Sequence, residues 1–314
     1  MNKLNPEYSI VVPVFNSCES LEELFLRIAK TMAAIGKAFE VIFVDDGSVD
    51  TSWNILQSIQ KSNPEKVIAV RLAKNFGQHN ATICGIAQAS GAYIITIDDD
   101  LQNPPEEIAK LIETMQNSDA DLVYGIYGKK QHSMARNLGS GALKGWSRRV
   151  FKTKGDGSSF RLMKSSLAKN LLNHQINFIY IDELFNWYTG HITFVLVDHR
   201  KRPYQQSTYT SHSLFSMLSN LVIYYTAMPL KMMVYGGFTS ALLSFFIGLF
   251  FIYRKIVHGI PIVGFTALIV TILFSTSIIL LSLGVIGEYL SRIYMVQNRK
   301  PPFAIKTLLN DEVL

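Results

Sequence analysis

From Tyr8 to Gly125, short apolar runs alternate with longer segments in which apolar residues recur every three or four positions. The runs Tyr8–Val14, Glu40–Val44, Lys66–Leu72, Ala92–Ile97 and Asp121–Gly125 predict strands. The stretches between them, Ser20–Ala34, Asp50–Ser62, Gln78–Ala89 and Pro105–Gln116, predict helices. Repeated β-α alternation predicts an α/β domain built on a parallel, doubly wound sheet. Beyond Asp198 the pattern changes. Met232 to Tyr253 is a run of 22 residues without charge, and Gly259 to Gly287 a run of 29. A helix needs roughly 20 apolar residues to cross the hydrocarbon core of a bilayer, so the two runs predict a transmembrane hairpin; the alternative is a pair of buried core helices. Before them, Leu214, Met217, Leu218, Leu221, Val222 and Tyr225 share one face of a segment running from Ser211 to Met228. An uncharged amphipathic helix beside a span predicts a helix lying in the membrane interface, the alternative being a helix packed on the soluble domain. The expected organisation is a cytoplasmic domain over 1–205, an interfacial region over 206–229, two spans (about 232–253 and 260–287) within 230–290, and a cytoplasmic tail over 291–314.

Charge sharpens this division. The chain has 314 residues, 48% of them hydrophobic, and a net charge of +6. No acidic residue lies between Asp198 and Glu288, a stretch of 89 positions whose six basic residues are Arg200, Lys201, Arg202, Lys231, Arg254 and Lys255. Taking those six from the 30 Lys and Arg leaves 24 basic against 24 acidic residues, so the whole net charge belongs to the apolar region. Such hydrophobicity excludes a disordered chain, and basic residues that punctuate apolar runs argue against a nucleic-acid binder. Arg200, Lys201, Arg202 and Lys231 precede the first span, and Arg292, Arg299, Lys300 and Lys306 follow the second, against Arg254 and Lys255 in the link. The positive-inside bias then places both termini and the soluble domain in the cytoplasm of a plasma-membrane, multi-pass protein. The N-terminal MNKLNPEYS has no apolar signal core, and Cys18 and Cys84 form no disulfide framework or metal spacing.

In doubly wound sheets, ligands bind at the carboxyl ends of the strands. Here those ends carry Pro13-Val14-Phe15-Asn16, Asp45-Asp46-Gly47-Ser48, Asn75-Phe76-Gly77-Gln78 and Asp98-Asp99-Asp100. Alone, an Asp triplet or a DDGS run is most often a turn or helix cap. Together they place three carboxylates beside other polar strand ends, where like charges repel unless a cation sits among them. Strand alternation puts Asp98 and Asp100 on one face, a pair suited to Mg²⁺ or Mn²⁺ with phosphate oxygens. No G-x-G-x-x-G or P-loop signature is present, which disfavours a dinucleotide dehydrogenase or an NTPase.

The combination of VPVFN (12–16), VDDGSVD (44–50), NFGQHNA (75–81) and DDDLQNPPEEI (98–108) resembles the GT-A family 2 glycosyltransferases. With GVIGEYLSRIY (284–294) and RKPPF (299–303) after the second span, it resembles their polyisoprenyl-phosphate branch: dolichyl-phosphate mannose synthases and the bacterial undecaprenyl-phosphate glucosyl and aminoarabinose transferases. The resemblance covers nearly the whole chain. It implies a Rossmann-like GT-A domain and a hexosyl- or pentosyltransferase that moves sugar from a nucleotide diphosphate donor, uridine-linked as in the bacterial members, to undecaprenyl phosphate with inversion. It also implies residue roles. Pro13, Phe15, Asn16, Asp45, Asp46, Asn75, Gly77, Gln78, Asp98 and Asp99 border the donor. Asp98, Asp100 and Gln102 hold the divalent metal. Arg136, Arg202, Ser207 and Tyr209 meet phosphate or acceptor, the arginines because a guanidinium fork matches phosphate oxygens. Asp100, Asp156, Ser159 and Arg161 are the candidate catalytic group. Homo-oligomers occur in this branch, and no feature of this sequence demonstrates one.

Several positions depart from the family pattern. Ser17 stands where the VPxYNE motif has its Glu, and the D-F-R-L motif reads Ser159-Phe160-Arg161-Leu162, with Asp156 three residues earlier as a candidate substitute. The R-x-x-G-x-S-K-Y segment reads Arg202-Pro203-Tyr204-Gln205-Gln206-Ser207-Thr208-Tyr209, without the glycine and lysine. These losses fall on the sugar and acceptor side. A phosphate nucleophile is already anionic near neutral pH and needs a general base less than a hydroxyl does, so serine at 159 is compatible with a lipid-phosphate acceptor. Two alternatives stay open: transfer to the hydroxyl of a lipid-linked saccharide or glycan, and a non-catalytic nucleotide-sugar-binding subunit.

Overall fold

The alternating runs close into one eight-stranded sheet in the order β7-β5-β6-β4-β1-β2-β3-β8. Its strands are β1 (Tyr8–Val14), β2 (Phe39–Asp45), β3 (Val67–Leu72), β4 (Tyr93–Thr96), β5 (Leu122–Tyr127), β6 (Arg161–Lys164), β7 (Ile192–Val197) and β8 (Ile305–Leu309). Among the described residues, the helices of this unit are α1 (Leu21–Ile35), α2 (Ser52–Ser62), α3 (Gln78–Gln88), α4 (Ile108–Gln116, after a 3₁₀ turn at Pro105–Glu107), α5 (Ser165–Asn170) and α6 (Ile181–Tyr188). This computed structural model describes residues 6–127, 158–173, 181–200, 228–258, 264–297 and 301–310. Arg136, Asp156, Arg202, Ser207 and Tyr209, and the amphipathic segment before Met228, lie outside the described residues.

The centre of the sheet is what the alternation predicts. β1 pairs in parallel with β2 and with β4, and β2 in parallel with β3. Every residue of β1 is buried, as a central strand covered on both faces requires. Helix α1 turns Leu21, Leu24, Phe25, Ile28 and Met32 into the core at helical spacing, while Glu22, Glu23, Leu26 and Lys30 face outward. The flanks depart from a purely parallel sheet. β6 runs antiparallel to both β4 and β5, while β7 is parallel to β5. At the other edge the C-terminal tail, for which the residue pattern predicts no element, supplies β8, antiparallel to β3. The backbone N–H of Ala73 donates to the carbonyl of Ala304 (2.8 Å) just beyond this ladder. An antiparallel neighbour brings its entry, not its exit, to the edge where the parallel strands end. The approach to β6 at Ser158–Phe160 therefore reaches the same edge as the exits of β1, β2, β4, β5 and β7.

The chain divides into two units, Met1–Thr208 with Lys300–Leu314, and Tyr209–Arg299. In the second, α7 (Met228–His258) and α8 (Phe265–Gln297) are 31 and 33 residues long. At about 1.5 Å per residue each exceeds the ~30 Å hydrocarbon core. Met232–Phe250 and Phe274–Ser291 are long and apolar enough to cross a membrane, and among the described residues none in either window is buried. This exposed apolar surface is compatible with a transmembrane hairpin.

Candidate functional site

The polar strand ends converge through direct hydrogen bonds. The chain leaving β1 turns at Asn16, whose φ of 53° is unusual for a non-glycine residue. That turn is held from both sides: the Asn16 N–H donates to Ser48 Oγ (2.9 Å), and the Val49 N–H donates to Asn16 Oδ1 (2.9 Å). Phe15, at the tip, is 45% exposed, whereas Pro13 is buried in β1. The Phe15 N–H donates to Asp99 Oδ2 (3.1 Å), and Ser20 Oγ donates to the Asp99 carbonyl (2.6 Å), which ties the β1 exit to the β4 exit.

At the β2 exit the two acids brace the protein. Asp45 is fully buried; its Oδ1 accepts from the Ser48 N–H (3.0 Å) and its Oδ2 lies 3.2 Å from Arg71 Nε. Arg71 also stacks over the Trp53 ring at 5.6 Å. Asp46 accepts from the Phe76 N–H at 2.7 Å and the Gly77 N–H at 2.8 Å, so it shapes the Asn75–Gln78 loop. Burial raises the Asp46 pKa, and those two N–H groups oppose the rise. Asn75 caps the same loop, its Oδ1 accepting from the Gly77 N–H at 3.1 Å.

Gly47 lets these loops touch. Its φ is +73°, and a Cβ there would lie 2.7 Å from the Lys74 carbonyl carbon and 2.8 Å from the Asn75 nitrogen. Gly36 has the same φ but nothing within 4 Å of its would-be Cβ. Gly47→Ala is therefore expected to destabilise the protein by about 1–3 kcal/mol more than Gly36→Ala, since it adds a backbone clash to the left-handed penalty. Thermal denaturation of the two variants checks this; equal losses would show that the loops can separate without cost.

The three aspartates after β4 form the densest charge. Gln78 Nε2 donates to Asp98 Oδ1 at 2.6 Å, and Ser159 Oγ donates to Asp98 Oδ2. Asp100 Oδ1 accepts from the Gln102 N–H at 3.0 Å across Leu101, which has a φ of 58°. Burial pushes the Asp99 carboxyl up to about 7; Ser17 and Phe15 oppose the rise, and the charges of Asp98 and Asp100 add to it. Two non-glycine residues with positive φ, Asn16 and Leu101, thus flank this cluster, a form of strain that folded proteins keep at working sites. The Gln102 carbonyl accepts from the Arg200 N–H (2.9 Å), and Tyr127 donates to Asn103 Oδ1 (2.6 Å) with its ring 4.1 Å from that of His199. The exits of β5 and β7 therefore close one side of the aspartate loop.

Arg161 faces inward. Its Nε donates to Thr96 Oγ1 (3.0 Å), its Nη1 pairs with Asp182 Oδ1 (2.5 Å), and Tyr124 donates to the same carboxylate oxygen (2.8 Å). Its guanidinium also lies over the Phe185 ring at 5.6 Å. Burial drives the neighbouring His79 down to about 4, with Asp182 opposing, so the imidazole is neutral at pH 7. Of the candidate residues within the described part, the structure brings Phe15, Asn16, Asp45, Asp46, Asn75, Gly77, Gln78, Asp98, Asp99, Asp100, Gln102 and Ser159 to one sheet edge, and it sets Arg161 behind them. Arg71, Thr96, Tyr127 and Asp182 belong to the same network and carry no sequence signal, because each acquires its partner only when distant strands pair.

A protein-family model described as glycosyl transferase family 2 matches residues 9–186. The undecaprenyl-phosphate 4-deoxy-4-formamido-L-arabinose transferase of Pseudomonas aeruginosa (strain LESB58) is 33% identical over 309 residues, covering 96% of this chain and 90% of that protein. The protein of the same description from Yersinia pestis (strain Pestoides F) is 30% identical over 317 residues, covering 99% of this chain and 96% of the other. Among solved structures, M. tuberculosis glucosyl-3-phosphoglycerate synthase is similar with a TM-score of 0.48 and 20% identity, over 69% of this chain and 78% of that one.

Proposed function

This chain belongs to glycosyl transferase family 2, and on that basis we propose that it transfers a sugar from a uridine diphosphate donor to undecaprenyl phosphate at the cytoplasmic face of the plasma membrane. It is a glycosyltransferase of the polyprenyl-phosphate branch. The observation that carries the substrate reading is the extent of the similarity. Relatives named for undecaprenyl phosphate match 96% of the chain, both apolar helices included, rather than the family domain alone. A polyprenyl chain stays in the bilayer and presents only its phosphate at the surface, so an enzyme that uses it gains from being anchored there.

The aspartate loop suits a divalent cation. Asp98 and Asp100 follow β4 within two residues of each other, so two carboxylates stand close together at this sheet edge, where their mutual repulsion is relieved by a cation. Among the described residues no group of three or more His, Cys, Asp or Glu has metal-holding geometry. Mg²⁺ and Mn²⁺ do not need one, since they are commonly held by one or two carboxylates together with substrate phosphates and water. Asp98 and Asp100, with Gln102 adjoining, would hold the ion; when bound it supplies positive charge to the departing diphosphate.

The remaining chemistry falls to the chain and its substrates. The strand ends around Phe15, Asn16 and the Asn75–Gln78 loop fix the nucleotide and the anomeric carbon beside the aspartates. An oxygen of the lipid phosphate attacks that carbon, forming the C–O–P linkage. The bond to the donor's β-phosphate breaks with its electrons, and the nucleoside diphosphate leaves. No proton must be abstracted, because the attacking oxygen is already anionic. Ser159, a neutral donor, accordingly stands where no base is required.

Incubation of the purified full-length protein with a panel of nucleotide sugars and undecaprenyl phosphate, followed by mass spectrometry of the lipid, tests this reading. The expected product is an acid-labile undecaprenyl-phosphate sugar formed only with divalent metal present. Transfer to a lipid-linked saccharide but not to the lipid phosphate would overturn the acceptor assignment, and full transfer in EDTA would overturn the metal.

A further inference from the structure

Each carboxylate oxygen of Asp98 receives a side-chain donor, and the two donors come from different parts of the fold. Gln78, the first residue of α3, donates to Oδ1 at 2.6 Å, and Ser159, just before β6, donates to Oδ2. We infer that Gln78 and Ser159 are positioning residues that clamp Asp98 in the orientation needed to receive a divalent cation. The inference rests on the metal reading proposed above.

Charge explains why a clamp is needed. Asp98 precedes two further carboxylates, and repulsion among them would turn its side chain outward. Two uncharged donors on opposite oxygens resist that rotation without neutralising the carboxylate. A carboxylate offers about four lone-pair sites, so side-chain donors of this kind can coexist with a bound ion. A cationic donor would compete with the metal, and an acidic residue at either position would add to the repulsion.

The serine is itself fixed from behind. Thr96 Oγ1 donates to the Ser159 carbonyl and accepts from Arg161 Nε (3.0 Å), and Arg161 is held by Asp182 (2.5 Å). A continuous set of hydrogen bonds therefore runs from the buried ion pair through Thr96 and Ser159 to Asp98. On the other side, Thr82 Oγ1 donates to the Gln78 carbonyl (2.9 Å), within the first turn of a helix that follows Gly77. Partners of this kind, one step removed from a metal, set ligand orientation, and their loss typically costs about 10–100-fold in metal affinity.

Mn²⁺ binding to the full-length protein in detergent, read by electron paramagnetic resonance in the presence of UDP, tests the clamp. Ser159→Ala and Gln78→Leu are each expected to weaken Mn²⁺ binding by about 10–100-fold. Ser159→Thr, which keeps the hydroxyl, should restore it. Wild-type affinity in both deletions, or failure of threonine to rescue, would overturn the inference. If the wild-type protein binds no Mn²⁺, the metal reading fails. Crystal structures of the wild type and the double variant Ser159→Ala/Gln78→Leu then decide the clamp: a changed Asp98 rotamer supports it and an unchanged one overturns it.

Discussion

Asp100→Asn is expected to lower sugar transfer at least a hundredfold, on the order of what loss of one preorganised electrostatic contact costs at a developing charge, with the fold and membrane insertion unchanged. Asparagine is the informative replacement. The Asp100 carboxylate accepts the Gln102 N–H at 3.0 Å across a residue with positive φ, so it also holds the loop. An asparagine Oδ1 can accept that same bond, so this loop contact is kept while the charge is lost. Alanine removes both functions and should be at least as damaging, with a measurable fall in Tm besides. Rates of labelled product formation, read beside thermal denaturation curves, separate the two roles. An Asp100→Asn protein with near wild-type turnover would mean that this residue braces the loop and does no more.

The largest stability effect is expected behind the site. Asp182→Ala should destabilise the soluble unit by about 3–5 kcal/mol, the usual cost of leaving a buried charge unpaired. Arg161 is buried, its Nη1 pairs with Asp182, and the Tyr124 hydroxyl depends on the same carboxylate. For a domain of this size that loss corresponds to a fall in Tm of about 10 °C. Replacing both partners by apolar residues, as in Arg161→Met/Asp182→Leu, should recover much of it, because the desolvation cost of the pair disappears along with the attraction. The pair between Lys164 and Asp121, at 2.8 Å but with both side chains about a third exposed, offers a contrast. Lys164→Met should change stability by less than about 1 kcal/mol. Similar Tm shifts for Asp182→Ala and Lys164→Met would show that burial does not control the strength of these pairs.

The two variants also mark how far the chain can be read from its residues. Asp100 stands out there, because an unfavourable run of three acids draws attention to it, although β4 ends at Thr96 and the run lies in the turn beyond the strand, where strand alternation does not apply. Asp182 does not stand out. It sits in an ordinary helical segment, and its importance arises only because β6 runs antiparallel beside β4 and buries Arg161 against it. Gln78 and Ser159 lie between these cases. Family resemblance sets the first beside the nucleoside and marks the second as a departure from a motif; the fold places both on Asp98. The same resemblance makes Asp45 and Asp46 donor contacts. The structure turns their oxygens toward Ser48, Arg71, Phe76 and Gly77, which makes them the supports of the loops around the pocket.

Periodicity and local charge suffice for the central parallel strands and their helices, the polar strand exits, and the two long apolar helices. Those properties are set by residues within a few positions of one another, where a 2.0 or 3.6 repeat fixes which face is buried. The antiparallel entry of β6, the return of the tail as β8, and the partners of each carboxylate come only with the folded chain. They depend on which distant segment fills an open sheet edge, and backbone hydrogen bonding satisfies an edge strand with little regard to side-chain identity.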